Sequence, residues 1–183
     1  MKIYDWNSLD GSCFSKKTCM TVGVFDGIHA GHKKLLEKVI DVSKNNSFES
    51  GVVTFSDSIF SMFKSSEVPL QTLEERIRTI EKMGFDFLIL IDFTPEVAHT
   101  DGLEFLKNLK LKCFLSYVVE GEDFRLGDGG RIGKKEIEKF CLENEIGYDF
   151  IPPVLFQGQR ISSTMIRKMK NEGDYETVSI LLG

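Results

Sequence analysis

The chain has 183 residues, a length typical of one compact domain. Because 42% of its residues are hydrophobic, it has enough apolar side chains for a core, which excludes an intrinsically disordered protein. Its 23 basic and 28 acidic residues give a formal net charge of −5, which argues against a protein that binds nucleic acid through a general basic surface. An anionic ligand must therefore be bound by a local group of basic side chains and backbone amides.

The cysteines and the N-terminal sequence both indicate a cytoplasmic protein. Cys13, Cys19, Cys113 and Cys141 have neither the CxxC nor the Cys/His spacing of a metal site. Scattered thiols fit a reducing compartment, with a disulfide-bonded secreted chain as the alternative. The N-terminal residues lack the apolar stretch of a signal peptide, and no window has the roughly 18 uninterrupted apolar residues of a membrane span. We therefore expect a cytoplasmic protein that does not enter a membrane.

Apolar segments of strand length alternate with amphipathic segments of helical period along the chain. The first helical stripe lies in residues 35–42. Thr72 followed by Glu75, and Asp101 followed by Glu104, are capping pairs that predict the starts of two further helices. The predicted strands are residues 20–25, 51–55, 85–93, 113–119 and 148–154. The remaining predicted helices are residues 134–145, 165–170 and 175–182.

Five alternations of strand and helix predict an α/β fold, a parallel sheet of about five strands with helices on both faces. Neither a linker nor a repeat interrupts the pattern, so we expect one domain over residues 1–183. Residues 56–68 lack a clear period and are predicted to form a mobile loop. Ligands bind such sheets at the carboxyl ends of the strands, so the candidate functional residues are those that follow a strand.

The first candidate site directly follows the first predicted strand and reads GVFDGIHAGH over residues 23–32. Gly27 and Gly31 permit a tight turn and a close approach of backbone to ligand. His29 and His32 lie on one side of a helix start, where free N–H groups and the helix dipole attract phosphate. We interpret this segment as a polyphosphate-binding turn. A pair of surface histidines beside an ordinary helix cap is the alternative.

The second candidate site reads ISSTMIR over residues 161–167 and opens the helix predicted at residues 165–170. Ser163 or Thr164 would cap that helix, and Arg167 lies one turn further on, where it could reach an anion. Taken alone, the segment is more typical of an ordinary cap followed by a solvated arginine. Beside the HxGH turn, we favour a role in binding phosphate.

A glycine-rich segment over residues 121–135 follows the fourth predicted strand, but it has neither the Walker spacing nor the GxGxxG spacing of a dinucleotide site. Asp123 in this segment is a candidate ligand contact, with a simple loop cap as the alternative. Three phenylalanines near residues 56–68 are candidates to stack on a flat ligand, although each is individually more typical of a core: Phe55, Phe60 and Phe63.

Together these motifs resemble the FMN adenylyltransferase (FAD synthetase) domain of the bacterial bifunctional riboflavin kinase/FAD synthetase family, from about residue 18 to the end. The segments that carry the resemblance are TVGVFDGIHAGH, VVTF, LEERIRTIEKMGFDFLILIDF, VVEGEDFRLG and ISSTMIRKMKNEGDYETVSILLG. HxGH with SSTxIR is specific for nucleotidylyltransferases. The resemblance implies a Rossmann-like, doubly wound sheet of the HxGH nucleotidylyltransferase type, which transfers AMP from ATP to FMN with Mg²⁺ and yields FAD and pyrophosphate.

The resemblance also implies a role for each matching residue. His29, His32 and Arg167 would be catalytic and hold the ATP phosphates, joined by Ser163 and Thr164. Phe55, Asp123 and Arg125 would face the flavin. The residues implied to line the nucleotide site are Gly23, Val24, Phe25, Asp26, Gly27 and Gly31. The magnesium ligands stay unassigned, because the substrate phosphates themselves supply ligands to this ion.

Three departures from the family pattern leave alternatives open. The family usually has FxPxP after VVTF, but Asp57 and Ile59 stand at the two proline positions, and Leu126 stands where a second Phe is common. The sequence ends where the kinase module would begin, so it is either a stand-alone enzyme, with a separate riboflavin kinase supplying FMN, or part of a longer chain. The alternative functions are transfer to a different phosphorylated acceptor and a non-catalytic flavin- or nucleotide-binding module.

Overall fold

The computed structural model describes residues 1–63 and 68–182, except for the side chains of residues 61–63. Six strands form one sheet in the order β1-β4-β3-β2-β5-β6, and all five strand pairs are parallel. The six strands are β1 (Lys2–Asp5), β2 (Thr18–Val22), β3 (Glu49–Phe55), β4 (Phe87–Ile91), β5 (Leu115–Gly121) and β6 (Gly147–Ile151). The predicted fold class, a doubly wound parallel sheet, is confirmed.

Helices connect successive strands and cover both faces of the sheet. They are α1 (Ala30–Asn46), α2 (Ser58–Phe63), α3 (Leu73–Lys82), α4 (Pro95–Ala98), α5 (Gly102–Cys113), α6 (Lys134–Glu143), α7 (Ser163–Asn171) and α8 (Tyr175–Leu182). The predicted capping box is present at α3, because Thr72 accepts from the Glu75 amide and the Glu75 carboxylate accepts from the Thr72 amide. The predicted cap of α5 is also present, on the Asp101 carboxylate.

Neighbouring residues of each central strand pack on opposite sides of the sheet, as the alternation of side chains along a strand requires. Val53 and Ile89 belong to the core under α5 and α6, whereas Val52 and Leu88 belong to the core under α1 and α3. The strands are therefore buried on both faces, which explains why they read as continuous apolar runs in the sequence.

β1 was not predicted from the sequence, and the count of about five strands is corrected to six. β1 pairs in parallel with β4, from Lys2 beside Phe87 to Asp5 beside Leu90. Its sequence, KIYD, is short and half polar because it is the edge of the sheet and three of its four residues are exposed. Edge strands of this kind lack the apolar signal by which strands are recognised.

The ends of several predicted elements are also corrected. The predicted strand at residues 20–25 ends at Val22, because the chain leaves the sheet at Gly23 and Phe25 adopts a left-handed φ of 52°. The predicted strand at residues 148–154 ends at Ile151, before Pro152. A two-stranded antiparallel hairpin that was not predicted follows it: β7 (Leu155–Phe156) and β8 (Gln159–Arg160).

The loop predicted at residues 56–68 contains α2 in its first half. Residues 64–67, four of the thirteen residues of the predicted mobile loop, lie outside the described residues, as does the side chain of Phe63. Asp57, which stands at one of the two family proline positions, accepts a hydrogen bond of 2.6 Å from Arg76 Nη2.

The four cysteines form no disulfide, and none of the described helices is long and apolar enough to cross a membrane. Cys19, Cys113 and Cys141 are buried, and Cys13 is half-buried. Burial raises the pKa of each of the three buried thiols to about 12, because the thiolate loses its hydration.

Candidate active site

A cavity of about 620 Å³ opens at the carboxyl ends of β2 and β5, near the middle of the sheet. From β2 the chain crosses through α1 to β3 on one side, and from β5 it crosses through α6 to β6 on the other. The crevice where the connections diverge in this way is the usual ligand site of a doubly wound sheet. The volume is also in the range of small-molecule sites.

The wall of the cavity on the β2 side is the turn between β2 and α1, over residues 23–29. Gly23, Val24 and Phe25 line the cavity. Gly27 has a φ of +63°, which a larger residue would adopt only with strain, and a Cβ there would lie 2.8 Å from Leu70 Cδ1, so it would also displace the Leu70 side chain. The glycine predicted from the motif is therefore required by both backbone conformation and packing.

Asp26 is 3% exposed and does not line the cavity. Its carboxylate accepts from the Leu70 amide over 2.8 Å and forms an ion pair with Arg167. Its carbonyl accepts from Ser163 Oγ over 2.7 Å. The Arg167 guanidinium also donates to the Val68 carbonyl. Asp26 and Arg167 thus hold α7 and the segment before α3 against the outer side of the turn.

His29 is the N-cap of α1 and is 5% exposed. Its Nδ1 accepts from the His32 amide over 3.4 Å, so in the neutral ring the proton is on Nε2. His32 Nδ1 lies 3.3 Å from the Gly27 carbonyl, which can only accept, so neutral His32 carries its proton on Nδ1. The two rings stack with their centroids 3.8 Å apart. The two histidines are therefore different: neutral His29 offers an N–H donor at Nε2, and neutral His32 offers a lone pair.

Both histidines are neutral at pH 7. Burial is the largest cause of the shift for each, because it removes the imidazolium from water, and the charge of Arg160 adds to it. The pKa of His29 is lowered to about 3 and the pKa of His32 to about 4. The site thus has hydrogen-bonding imidazoles at a helix N-terminus rather than a fixed double positive charge.

The opposite wall is the start of α7. Ser162 is the N-cap, with its side chain accepting from the Met165 amide. Ser162, Ser163 and Thr164 all line the cavity. The cap, predicted at Ser163 or Thr164, is therefore Ser162. The Thr164 side chain has no capping role, and the Ser163 hydroxyl donates to the Asp26 carbonyl of the turn.

The site contains an arginine, Arg160, that was not predicted from the sequence. Arg160 lies at the end of the β7–β8 hairpin, lines the cavity and forms an ion pair with Asp123 from the loop after β5. Its guanidinium is close enough to both histidines to lower their pKa. Its position directly before the ISST motif is the signal that could have found it.

A second unpredicted residue, Glu120, lines the cavity at the end of β5 and is 2% exposed. Burial raises the pKa of its carboxyl well above the ordinary value of 4.5. The sequence offered little signal for it, because a single acid at the end of an apolar strand usually marks the start of a loop.

Aromatic and apolar side chains form the side of the cavity nearest β3 and β4. Phe55 and Phe93 line it and meet edge to face, with ring centroids 5.3 Å apart. A neighbouring cavity of about 460 Å³ shares Phe93 and is also lined by Phe60. Arg125 lines the main cavity from the other side, and a Cβ at Gly133 would lie 2.9 Å from its Cζ, so Arg125 rests on that glycine.

Most of the predicted site residues therefore meet in one cavity, and three do not line it. The predicted residues that line it are Gly23, Val24, Phe25, His29, Gly31, His32, Phe55, Asp123, Arg125, Ser163 and Thr164. Asp26 and Gly27 are part of the turn but face away from the cavity, and Arg167 contacts the turn from its outer side through Asp26. Within residues 1–63 and 68–182, no group of three or more His, Cys, Asp or Glu side chains is placed to hold a metal ion.

A sequence model of the FAD synthetase family matches residues 12–165. An FAD synthetase of Listeria monocytogenes is 28% identical over 172 residues, covering 92% of this chain and 70% of that protein. A bifunctional riboflavin kinase/FMN adenylyltransferase of Buchnera aphidicola is 28% identical over 179 residues, and the one of Escherichia coli K12 is 27% identical over 169 residues. The chain spans about half of these bifunctional relatives, 55% and 53% of their lengths.

A crystal structure described as a macrolide-efflux protein from Streptococcus pneumoniae superposes on the whole chain with a TM-score of 0.86, covering 60% of that protein at 22% identity. At this identity the likeness shows the fold alone. The family model covers most of the chain, including the turn between β2 and α1 and the start of α7. The chain belongs to the FAD synthetase family.

Proposed function

We propose that this chain is an FMN adenylyltransferase, which transfers AMP from ATP to FMN and releases pyrophosphate. The observation that carries the proposal is one cavity with two chemically different ends. One end has the N-termini of α1 and α7 with His29, His32 and Arg160, and the other has the aromatic pair Phe55 and Phe93. Polyphosphate suits the first end, and a flat aromatic acceptor suits the second.

In the proposed reaction, an oxygen of the FMN phosphate attacks the α-phosphorus of ATP, and the bond from that phosphorus to the bridging oxygen breaks. The leaving group is pyrophosphate. Little covalent chemistry falls to the protein, which aligns the two phosphates and stabilises the charge that develops on the leaving oxygens.

His29 supplies the donor that this charge needs. Its Nε2–H is fixed by the hydrogen bond that the His32 amide donates to Nδ1. His32 carries its proton on Nδ1 toward Gly27, so it donates from Nε2 only after it gains a second proton. An anionic phosphate favours that protonation, because a nearby negative charge raises the pKa of an imidazole. Binding of ATP thus converts His32 from an acceptor into a donor.

Ser163, Thr164 and Arg160 complete the phosphate end in this proposal. Arg160 forms an ion pair with Asp123. Both side chains are about half exposed, so the ion pair is weak and a polyphosphate can displace the carboxylate. Asp123 then faces the acceptor together with Arg125.

Mg²⁺ is proposed to enter as the complex with ATP, so that phosphate oxygens provide most of its ligands. The described residues suit this role, because the phosphate end of the cavity offers hydrogen-bond donors rather than a cluster of carboxylates. The ion would neutralise phosphate charge during the transfer. The protein's part is to bind and orient the phosphates from the other side.

Transfer to a different phosphorylated acceptor is the second candidate function. The observation that favours it is on the acceptor side, where Ile59 lines the cavity and Asp57 pairs with Arg76 in place of the two family prolines. Because these side chains differ from the family prolines, the acceptor side of the cavity can fit a ring system other than flavin.

The test is to incubate the purified chain with MgATP and FMN, with riboflavin in a parallel reaction, and to separate the flavins by chromatography. We expect FAD from FMN alone, which would also assign the supply of FMN to a riboflavin kinase activity outside these residues. FAD from neither flavin, with the protein folded and ATP bound, contradicts the proposal. Release of pyrophosphate with another phosphorylated acceptor would then establish the second candidate.

A further inference from the structure

The cavity has a buried carboxyl group at its floor that the proposed mechanism does not use. Glu120 Oε1 accepts from the Val22 amide over 2.7 Å, and Oε2 accepts from Thr21 Oγ1 over 3.4 Å. Glu120 is on β5, and its two partners are the last residues of β2. The carboxyl therefore bridges the two strands at the point where the cavity begins.

The backbone ladder explains why a side chain is needed there. β2 stays paired with β3 as far as Val22, and the Gly23 amide continues to the Val53 carbonyl. By contrast, the pairing of β2 with β5 ends earlier, at Met20 beside Val118. The Val22 amide thus points into a widening gap, where an unpaired N–H would be costly, and the Glu120 side chain supplies the acceptor.

The two hydrogen bonds that Glu120 accepts favour its ionised form, but burial outweighs them and raises the pKa of the carboxyl. Glu120 is 2% exposed, and none of the described side chains forms an ion pair with it. The charged or titratable groups that share the cavity are His29, His32, Asp123, Arg125 and Arg160. Both histidines are neutral, and Arg160 pairs with Asp123. A buried carboxylate without a cation is destabilising by several kcal/mol, so the proton stays on Glu120.

We propose that Glu120, as a neutral carboxylic acid, is a positioning residue of this site: it replaces the absent β5 carbonyl as acceptor for the Val22 amide and so fixes the turn of residues 23–27 relative to β5. The inference rests on the proposed function, because the turn then carries the phosphate end of the cavity. The neutral state of Glu120 matters because the cavity is proposed to bind phosphates. An ionised Glu120 would place a negative charge beneath a site for two anionic substrates.

Two substitutions separate the hydrogen bond from the charge. Glu120→Gln keeps a carbonyl acceptor for the Val22 amide and carries no charge at any pH. Glu120→Met fills a similar volume but removes the acceptor. Glu122→Gln is the matched control, because Glu122 lies just after the end of β5, is exposed and pairs with Lys134 outside the cavity. FAD formation from MgATP and FMN is measured for all four proteins, with circular dichroism to verify folding.

We expect Glu120→Gln and Glu122→Gln to retain wild-type kcat. Glu120→Met should lower kcat by up to about 10²-fold, as expected when a displaced element misaligns the reactants, with a smaller change in the KM for ATP. A folded Glu120→Met protein with wild-type kcat overturns the inference. A Glu120→Gln protein as impaired as Glu120→Met overturns it too, since the neutral acceptor would then be insufficient.

A second readout does not depend on the reaction and so separates this inference from the proposed function. Because the folded protein holds the Glu120 proton more tightly than the unfolded chain, wild type should lose stability relative to Glu120→Gln as pH rises above about 4.5. In urea unfolding, the ratio of the two unfolding constants should change by about tenfold per pH unit at the start of that range. A ratio that does not change with pH overturns the neutral state of Glu120, whether or not FAD is formed.

Discussion

His29 performs two tasks with its two ring nitrogens. Nδ1 caps α1 by accepting from the His32 amide, and Nε2 carries the proton that we assign to the phosphate site. A Cβ at Gly31 would lie 3.1 Å from Cε1 of this ring, so the glycine of the HxGH motif makes room for the histidine that precedes it. The HxGH spacing therefore has a structural reason: the His29 ring caps α1 through the amide three residues later and also faces the ligand site.

The two tasks of His29 are separable by substitution. The amide oxygen of His29→Asn reaches the position of Nδ1 and keeps the cap, whereas the amide of His29→Gln reaches the position of Nε2. We expect His29→Asn to keep the unfolding free energy and lose turnover by about 10²-fold. His29→Gln should retain more turnover and lose about 1 kcal/mol of stability. Urea unfolding and steady-state kinetics measure the two effects, and equal turnover in both variants would contradict the assignment of Nε2.

The depressed pKa values of the two histidines also predict how stability depends on pH. In the unfolded chain both titrate near 6.5, but in the folded protein they titrate at about 3 and about 4. The unfolded chain therefore binds protons first as the pH falls, and stability falls with it from about pH 6.5 downward. Relative to the double variant His29→Asn/His32→Asn, the wild-type unfolding free energy should drop by up to about 1.4 kcal/mol per pH unit for each histidine. Parallel pH profiles of the two proteins would refute the burial of neutral rings.

At the scale of elements, the site is assembled by contacts between segments distant in sequence. Ser163 and Arg167, both on α7, bind the turn between β2 and α1 through the carbonyl and the carboxylate of Asp26. Arg76 Nη1 on α3 donates to both the Val24 and the Phe55 carbonyls, which follow the adjacent strands β2 and β3. The turn is thus fixed from outside by two helices, while its inner surface stays free to bind a ligand.

The contact between α7 and the turn predicts that Arg167 supports stability as well as turnover. Arg167→Ala leaves the Asp26 carboxylate buried without its cation, which should lower the unfolding free energy by about 3 kcal/mol. The paired change Asp26→Asn/Arg167→Met removes both charges and should recover most of that loss. Urea unfolding of the three proteins measures it. An Arg167→Ala protein of wild-type stability with lost turnover would instead support the direct catalytic role that the family motif implies.

Sequence reasoning predicted the elements with strong local signals and missed those formed by tertiary context. The buried strands β3, β4 and β5 were found because both of their faces are apolar, and α3 and α5 were found by their caps. β1 and the β7–β8 hairpin were missed because they are short and largely exposed. The same limit applies to the site. His29 and Ser163 stand in motifs, whereas Arg160 and Glu120 come to the cavity from a hairpin and a strand end.

At the scale of the whole molecule, the cavity lies at the gap between β2 and β5, with β3 and β4 separating it from the edge strand β1. The β1 edge of the sheet is therefore remote from the site, whereas the opposite edge strand, β6, ends at Ile151, which lines the cavity. Of the N-terminal residues, Trp6 is the one whose ring packs on Phe105, which lines the cavity, with centroids 5.2 Å apart.

This separation predicts that removing β1 costs stability and leaves the reaction intact. Deletion of residues 2–5 keeps Trp6 but exposes the edge of β4, including its unpaired backbone groups. We expect a melting temperature lower by about 5 °C or more and a stronger tendency to aggregate, with turnover per folded molecule unchanged. Scanning calorimetry, light scattering and active-site titration test this. Loss of turnover in the folded, monomeric fraction would show that the edge strand reaches the site.

The reactivity of the buried cysteines reports whether the protein is folded. A thiol reacts with alkylating agents as the thiolate, and a pKa of about 12 leaves Cys19, Cys113 and Cys141 almost wholly protonated at pH 8. Cys13 is half-buried and is the thiol that a reagent in solution can reach in the native chain. Mass spectrometry after brief alkylation should therefore find one adduct on folded protein and four on unfolded protein. Such a count would report, for every variant, what fraction of the sample had the native core during the assay.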